Sequence, residues 1–187
     1  MTTSSWLIDR IANFEDRPFL AKSEATYSYS DLSQSISEQI EYFKAKGIEA
    51  GDVVILHGDY TLKAIASLLA LFEIKAMVAP VAIDAESERE QRINASKARW
   101  EIYTNESNNL QVEMLGAQTE VHSYIKKLTQ ANQAGLILFS SGSTGEPKAM
   151  IHSAERLLET FQTKRTKNLS ILIFLLFDHI GGINTLF

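Results

Sequence analysis

The sequence predicts an α/β fold: a mainly parallel sheet with helices on both faces. Three observations point there. Short, continuous apolar runs bounded by turn residues recur at 53–58 (VVILHG), 77–83 (MVAPVAI), 135–140 (GLILFS) and 169–177 (LSILIFLLF), the signature of strands buried on both faces. Segments of helical periodicity lie between several of them. Strands alternating with helices then imply a largely parallel sheet, because each crossover returns the chain to the same end. The 187 residues suffice for one ordinary domain or one large piece of a bigger one.

Taken in order, Tyr27 and Tyr29 alternate in ATYSYSDL, as in a half-exposed strand. Ser30 or Asp31 can cap a helix running to about Lys46, with Leu32, Ile36, Ile40 and Phe43 on one face, and Gly47 as its stop. After the strand at 53–58 comes a helix over 60–73, then the strand at 77–83. Residues 84–97 (DAESEREQRINASK) read as a solvated surface helix, the usual fate of mixed charge runs. RWEIYT (99–104) is strand-like and NESNN (105–109) an exposed loop. A short strand is expected at 111–115 and a helix at 119–128. Beyond the strand at 135–140, residues 148–153 form another, and Ser153 can cap a helix holding Leu157, Leu158 and Phe161. LSILIFLLF is the strongest strand of all, and DHIGGINTLF turns out of it towards a further helix.

Composition narrows the function. Hydrophobic residues at 45% and charged residues at 22% suit a soluble globular protein. A net charge of −5 argues against nucleic acid as the main partner, since phosphate backbones attract basic surfaces. With no cysteine there is no disulfide, thiolate metal site or cysteine nucleophile. Neither a signal peptide nor an apolar run of the roughly 20 residues that span a bilayer is visible, so a cytoplasmic location is expected. No ligand spacing joins the histidines, and no metal site is expected.

The chemistry concentrates in FSSGSTGEPKAM (139–150), directly after a buried strand. Open α/β sheets bind ligands at the loops beyond the carboxyl ends of their strands. Gly142 and Gly145 let backbone N–H groups approach a ligand closely. Ser140, Ser141, Ser143 and Thr144 add hydroxyls, and Lys148 a positive charge. Together they suit a polyphosphate, whereas an ordinary polar turn accounts for Ser and Gly but not for this density beside Pro-Lys. The P-loop motif G-x-x-x-x-G-K-[ST] fails here, with Pro147 in place of its second glycine and Ala149 in place of its Ser or Thr.

FSSGSTGEPKA resembles the phosphate-loop signature of the adenylate-forming superfamily, [YF]-[TS]-S-G-[ST]-T-G-x-P-K-G, departing only at Ala149. The likeness extends along the chain from about residue 25. TYSYSDL with its following GIEAGDVVIL is similar to the family's opening segment, ASLLALFEIKAMVAPVAID to the next, and LLFDHIGG to its aromatic/His motif. Ala76 stands where that family is expected to carry glycine. The resemblance implies the N-terminal part of the adenylate-forming large domain, so that residues 1–187 make a single partial domain. The downstream Tyr-Gly-x-Thr-Glu segment, the ribose-binding Asp, the hinge and the C-terminal lysine have no counterpart.

As the resemblance implies, a whole enzyme of this kind joins a small carboxylic acid to the α-phosphorus of MgATP. It then passes the acyl group to a thiol such as coenzyme A. In that scheme Ser140, Ser141, Gly142, Ser143, Thr144, Gly145 and Lys148 hold the phosphates, while His179 and Gly181 line the acyl pocket. This chain alone is expected to be inactive and to self-associate through an exposed apolar face. The alternative is a non-catalytic remnant or interaction module that keeps the fold. His179 could also be a core histidine, Asp178 reads as the cap of the helix at HIGG, Gly181 and Gly182 as close-approach glycines, and His57, Trp6 and Trp100 as structural.

Overall fold

The computed structural model describes residues 5–23, 25–82, 86–105, 107, 109–116, 121–141, 146–165 and 169–187. Helix α1 (Ser5–Ala12) leads into a small hairpin of β1 (Pro18–Ala21) and β2 (Thr26–Ser28). There follow α2 (Tyr29–Lys46), β3 (Val53–His57), α3 (Leu62–Glu73), β4 (Met77–Val81), α4 (Glu86–Ser96), β5 (Trp100–Thr104) and β6 (Leu110–Met114). Then come α5 (Ser123–Gln130), β7 (Gly135–Ser141), β8 (Pro147–Ser153), α6 (Ala154–Gln162) and α7 (Ile180–Thr185).

The main sheet has the order β6-β5-β3-β4-β7-β8. Its centre, β5-β3-β4-β7, is parallel, and an antiparallel strand closes each side. Every residue of β3 and β4 is buried, which explains why their sequences are continuously apolar. Alternate side chains feed two cores. Val54, Leu56, Val78, Ile102 and Leu136 pack under α1, α2, α3 and α6. Val53, Ile55, Met77, Ala79 and Ile137 pack under α5, with Ile93 of α4 beside them. Helices therefore cover both faces.

Helix α2 corrects the expected cap. Ser28, not Ser30 or Asp31, is the N-cap: its hydroxyl accepts from the Asp31 backbone at 3.1 Å, while the Asp31 carboxylate accepts from the Ser28 backbone at 2.7 Å. These hydrogen bonds hold the Asp31 carboxyl below its ordinary range, the backbone bond contributing most. Gly47 ends the helix in the left-handed region at φ 87°, as the sequence predicts. Thr61 caps α3 and Ser153 caps α6. Left-handed backbone of the kind glycine serves falls at Lys75, φ 65°, one residue before the buried Ala76.

The largest departure is at 169–177, expected to be the strongest strand. Among the described residues this segment joins no sheet. Leu172 and Phe174 are 86% and 84% exposed, and only Phe177 is fully buried. Apolarity specifies that a run prefers burial, but a strand exists only where a neighbouring edge completes its hydrogen bonds. The sheet stops at β8 and β6, and 169–177 pairs with neither.

Candidate functional site

Strands β3, β4, β5 and β7 all end on the same side of the sheet. Adjacent strands β3 and β4 send their connections to opposite faces: α3 belongs to one core, whereas Ile93 of α4 packs against the other. That divergence opens the crevice where α/β sheets take ligands. Strand β7 ends, and β8 begins, at this edge. In the antiparallel register Ser140 faces Lys148, and Ser141 faces Pro147. Directly paired residues share a face, so a hydroxyl and an ammonium group project together where β7 ends. Lys148 is exposed and has no hydrogen-bonding or ion-pair partner among the described residues, leaving its charge uncompensated. Hydroxyl and ammonium donors suit phosphate oxygens. Gly142, Ser143, Thr144 and Gly145 lie outside the described residues.

His179 and Gly181 occupy a different element. His179 is the N-cap residue of α7, yet its side chain makes no capping hydrogen bond, and its nearest charged partner is Asp178 at 3.8 Å. With its side chain 67% exposed, it is not a core histidine. Asp178 is not the cap, and its Oδ1 is buried without a hydrogen bond. Helix α7 is pulled tightly against the loop after β3. A Cβ at Gly182 would stand 2.1 Å from the Leu176 carbonyl oxygen and 2.4 Å from the Tyr60 hydroxyl. The Tyr60 ring meets Phe177 edge-on at 5.4 Å. Burial first, then the Asp59 and Asp178 carboxylates, push the Tyr60 phenol up to about 12. The close-approach reading of Gly182 is borne out. No hydrogen bond or ion pair among the described residues links His179 or Gly181 to Ser140 or Lys148.

A polar cluster that the sequence reading missed lies on the other face, at the ends of β3 and β5. Glu101 is fully buried and receives His57 Nε2 at 2.9 Å and Arg89 Nε at 3.1 Å. Arg89 Nη2 reaches its second oxygen at 2.5 Å, and Arg89 Nε also donates to the Tyr103 hydroxyl at 3.0 Å. The Tyr103 ring stacks on His57, centroids 4.3 Å apart and ring planes nearly parallel. The Glu101 carboxylate holds the Arg89 guanidinium protonated far above physiological pH. Burial, ahead of the opposing Arg89 hydrogen bond, raises the Tyr103 phenol. Helix α4 is thus more than a solvated charge run, because one of its arginines locks it to the sheet. The available signal was a glutamate in mid-strand with an arginine in the helix before it.

Residues 7–187 match the family described as AMP-binding enzyme. The chain belongs to this adenylate-forming family. As an AMP-binding family member it is 23% identical over 147 residues to N-benzoylphenylalaninol synthetase apmA of Penicillium brevicompactum, covering 73% of this chain and 6% of that one. The NpsA N-terminal subdomain of Klebsiella oxytoca, solved with 3-hydroxyanthranilyl-AMSN, has a TM-score of 0.60 at 24% identity, over 80% of this chain and 40% of the other. The o-succinylbenzoate CoA synthetase MenE of Bacillus subtilis, solved with the acyl-adenylate OSB-AMP, has a TM-score of 0.69 at 16% identity, over 97% and 52%. At these identities the structural likeness speaks for the fold. The AMP-binding chain spans only part of each relative, and what it aligns with is the N-terminal portion of the large domain.

Proposed function

We propose that this chain forms the N-terminal, phosphate-binding part of a ligase that activates a small carboxylic acid as an acyl-adenylate. The observation that carries the reading is the Ser140–Lys148 pair between β7 and β8, within FSSGSTGEPKA and at the same end of the sheet as the divergence of β3 and β4. In the complete reaction an acid carboxylate attacks the α-phosphorus of ATP and pyrophosphate leaves. Lys148 and the hydroxyls of Ser140, Ser141, Ser143 and Thr144 hold the departing phosphates, with the backbone at Gly142 and Gly145. Negative charge grows on pyrophosphate in the transition state, and a mobile ammonium there stabilises it. Magnesium, arriving with ATP, supplies further charge neutralisation. His179 and Gly181, beside the docked start of α7, face the acid.

A thiol then accepts the acyl group. Coenzyme A is the acceptor proposed, as the sequence resemblance to acid:thiol ligases suggests. A carrier-borne thiol is the second reading, favoured by the sequence likeness to a hybrid PKS-NRPS synthetase of Penicillium citrinum, 29% identical over 140 residues. A cytoplasmic location fits the use of ATP, and no helix among the described residues is long and apolar enough to cross a membrane.

By itself the 187-residue chain is proposed to make no acyl-adenylate. It self-associates through exposed Leu172 and Phe174. Calorimetric titration of the 187-residue chain with tripolyphosphate at low salt tests the phosphate site. Weak saturable binding, lost in Lys148→Ala and Gly142→Val, is expected; equal binding by parent and Lys148→Ala overturns the reading. Carboxylate-dependent pyrophosphate exchange by the chain contradicts its inactivity, and a monomer in sedimentation at high concentration contradicts the self-association.

A further inference from the structure

The main sheet ends in two outer strands, β6 on one side and β8 on the other. An outer strand offers unpaired backbone N–H and C=O groups to any second strand, and proteins ordinarily blunt such edges with proline, lysine or a bulge. Strand β8 carries two of these devices, Pro147 at its start and the exposed Lys148. Strand β6, LQVEM, has neither proline nor lysine, and its pairing with β5 runs from Trp100↔Met114 to Thr104↔Leu110 without a register shift. It also leaves Met114 62% exposed. Among the described residues no strand pairs with its outer side.

Register decides which groups face outward. The Leu115 amide donates to the Arg99 carbonyl at 2.9 Å, which makes Trp100 and Met114 a non-hydrogen-bonded pair. Pair types alternate along an antiparallel ladder. Gln111 and Glu113 therefore turn their backbone groups towards β5, while Leu110, Val112 and Met114 turn theirs to the open edge. The strand is also symmetric in character about Val112: apolar, polar, apolar, polar, apolar. A second copy laid antiparallel on this edge and centred on Val112 sets Leu110 against Met114, Val112 against Val112, and Gln111 against Glu113. Each outward residue then exchanges its free backbone bonds with its counterpart. One face of the joined strands gains apolar pairs, and the other gains an amide against a carboxylate, repeated by the two-fold axis. Within one chain Gln111 Nε2 already donates to Glu113 Oε1 at 2.5 Å, and an amide has a second N–H for the partner's carboxylate. The two Glu113 carboxylates stand only diagonally, roughly 7–8 Å apart, where solvent and salt screen them.

We propose that β6 is an interface between two copies of this chain, paired antiparallel across a two-fold axis at Val112, so that two 6-stranded sheets become continuous. Leu172 and Phe174 take no part in it, and nothing in it depends on the phosphate-site reading.

The test uses the 187-residue chain carrying Leu172→Ser and Phe174→Ser, which removes the other exposed apolar surface. Sedimentation equilibrium should show a concentration-dependent monomer–dimer equilibrium. Hydrogen exchange followed by NMR should show the Leu110, Val112 and Met114 amides gaining about tenfold protection or more from dilute to concentrated protein. The Gln111 and Glu113 amides, bonded to β5 in either state, should change little. Gln111→Glu sets carboxylate against carboxylate in both symmetric pairs and should weaken the dimer about tenfold. Adding Glu113→Gln rebuilds the amide–carboxylate pairing in reverse and should return affinity to within about threefold of the parent. Val112→Pro deletes an outward N–H that the single chain does not use, and should abolish the dimer with far-UV circular dichroism unchanged. A monomer at every concentration, protection of the outward amides that ignores concentration, a dimer that survives Val112→Pro, or no rescue by the reciprocal pair would each overturn the proposal.

Discussion

Replacing Glu101 by leucine removes a fully buried carboxylate from beneath one arginine and one histidine. Breaking a buried ion pair from one side costs about 3–5 kcal/mol, because the other charge stays desolvated without its partner. Here the Arg89 side chain is 26% exposed and can turn outward to water, whereas His57 is held under the Tyr103 ring. The cost therefore falls near the lower end, about 3 kcal/mol. For a chain of this size that lowers Tm by roughly 6–12 °C. Urea unfolding of the 187-residue chain followed by far-UV circular dichroism measures it. Adding Arg89→Met removes the guanidinium that has lost its carboxylate and lets α4 pack by apolar contact, so the double variant should recover about 1–2 kcal/mol relative to Glu101→Leu alone. A loss below about 1 kcal/mol for Glu101→Leu, within the range of ordinary surface changes, refutes the locking role of the cluster. Simple additivity of the two substitutions does so too.

Three further outcomes are expected. Lys148→Ala should change unfolding free energy by no more than about 0.5 kcal/mol while abolishing tripolyphosphate binding, since the side chain is exposed and has no protein partner to lose among the described residues. Gly182→Ala should destabilise by about 1–3 kcal/mol in the same urea assay, because the new methyl meets the Leu176 carbonyl and has nowhere to go. Tyr60→Phe should be neutral or slightly stabilising at pH 7, because the buried hydroxyl has no hydrogen-bond partner among the described residues. The raised Tyr60 phenol, about 12 when folded against 10.0 ordinarily, contributes stability fully present below pH 10 and lost as pH rises towards 12. Tyr60→Phe should therefore flatten the decline of Tm across that window, and an unchanged slope speaks against the burial of this phenol.

The central strands were legible because burial on both faces leaves a local mark: Val53–His57 and Met77–Val81 are apolar at nearly every position, and turn residues bracket them. Gly47 and Ser153 were legible for the same reason, since a helix stop and a helix cap depend on residues within one turn. The antiparallel pairing of β7 with β8, which sets Ser140 opposite Lys148, was not among the sequence expectations. The cap of α2 was missed by two residues: Ser28, Ser30 and Asp31 all offer oxygens there, and only the backbone course selects Ser28.

What tertiary structure alone decided are the matters that need a partner distant in sequence. Whether 169–177 is a strand depends on a free sheet edge, and no ladder reaches it among the described residues. Nothing in the strand-like window RWEIYT shows that α4 covers the face holding Glu101 or that Arg89 meets it. Local sequence determines what each segment prefers in water; the partner that satisfies the preference is set by topology, because burial free energy depends on area removed from solvent and not on which neighbour removes it.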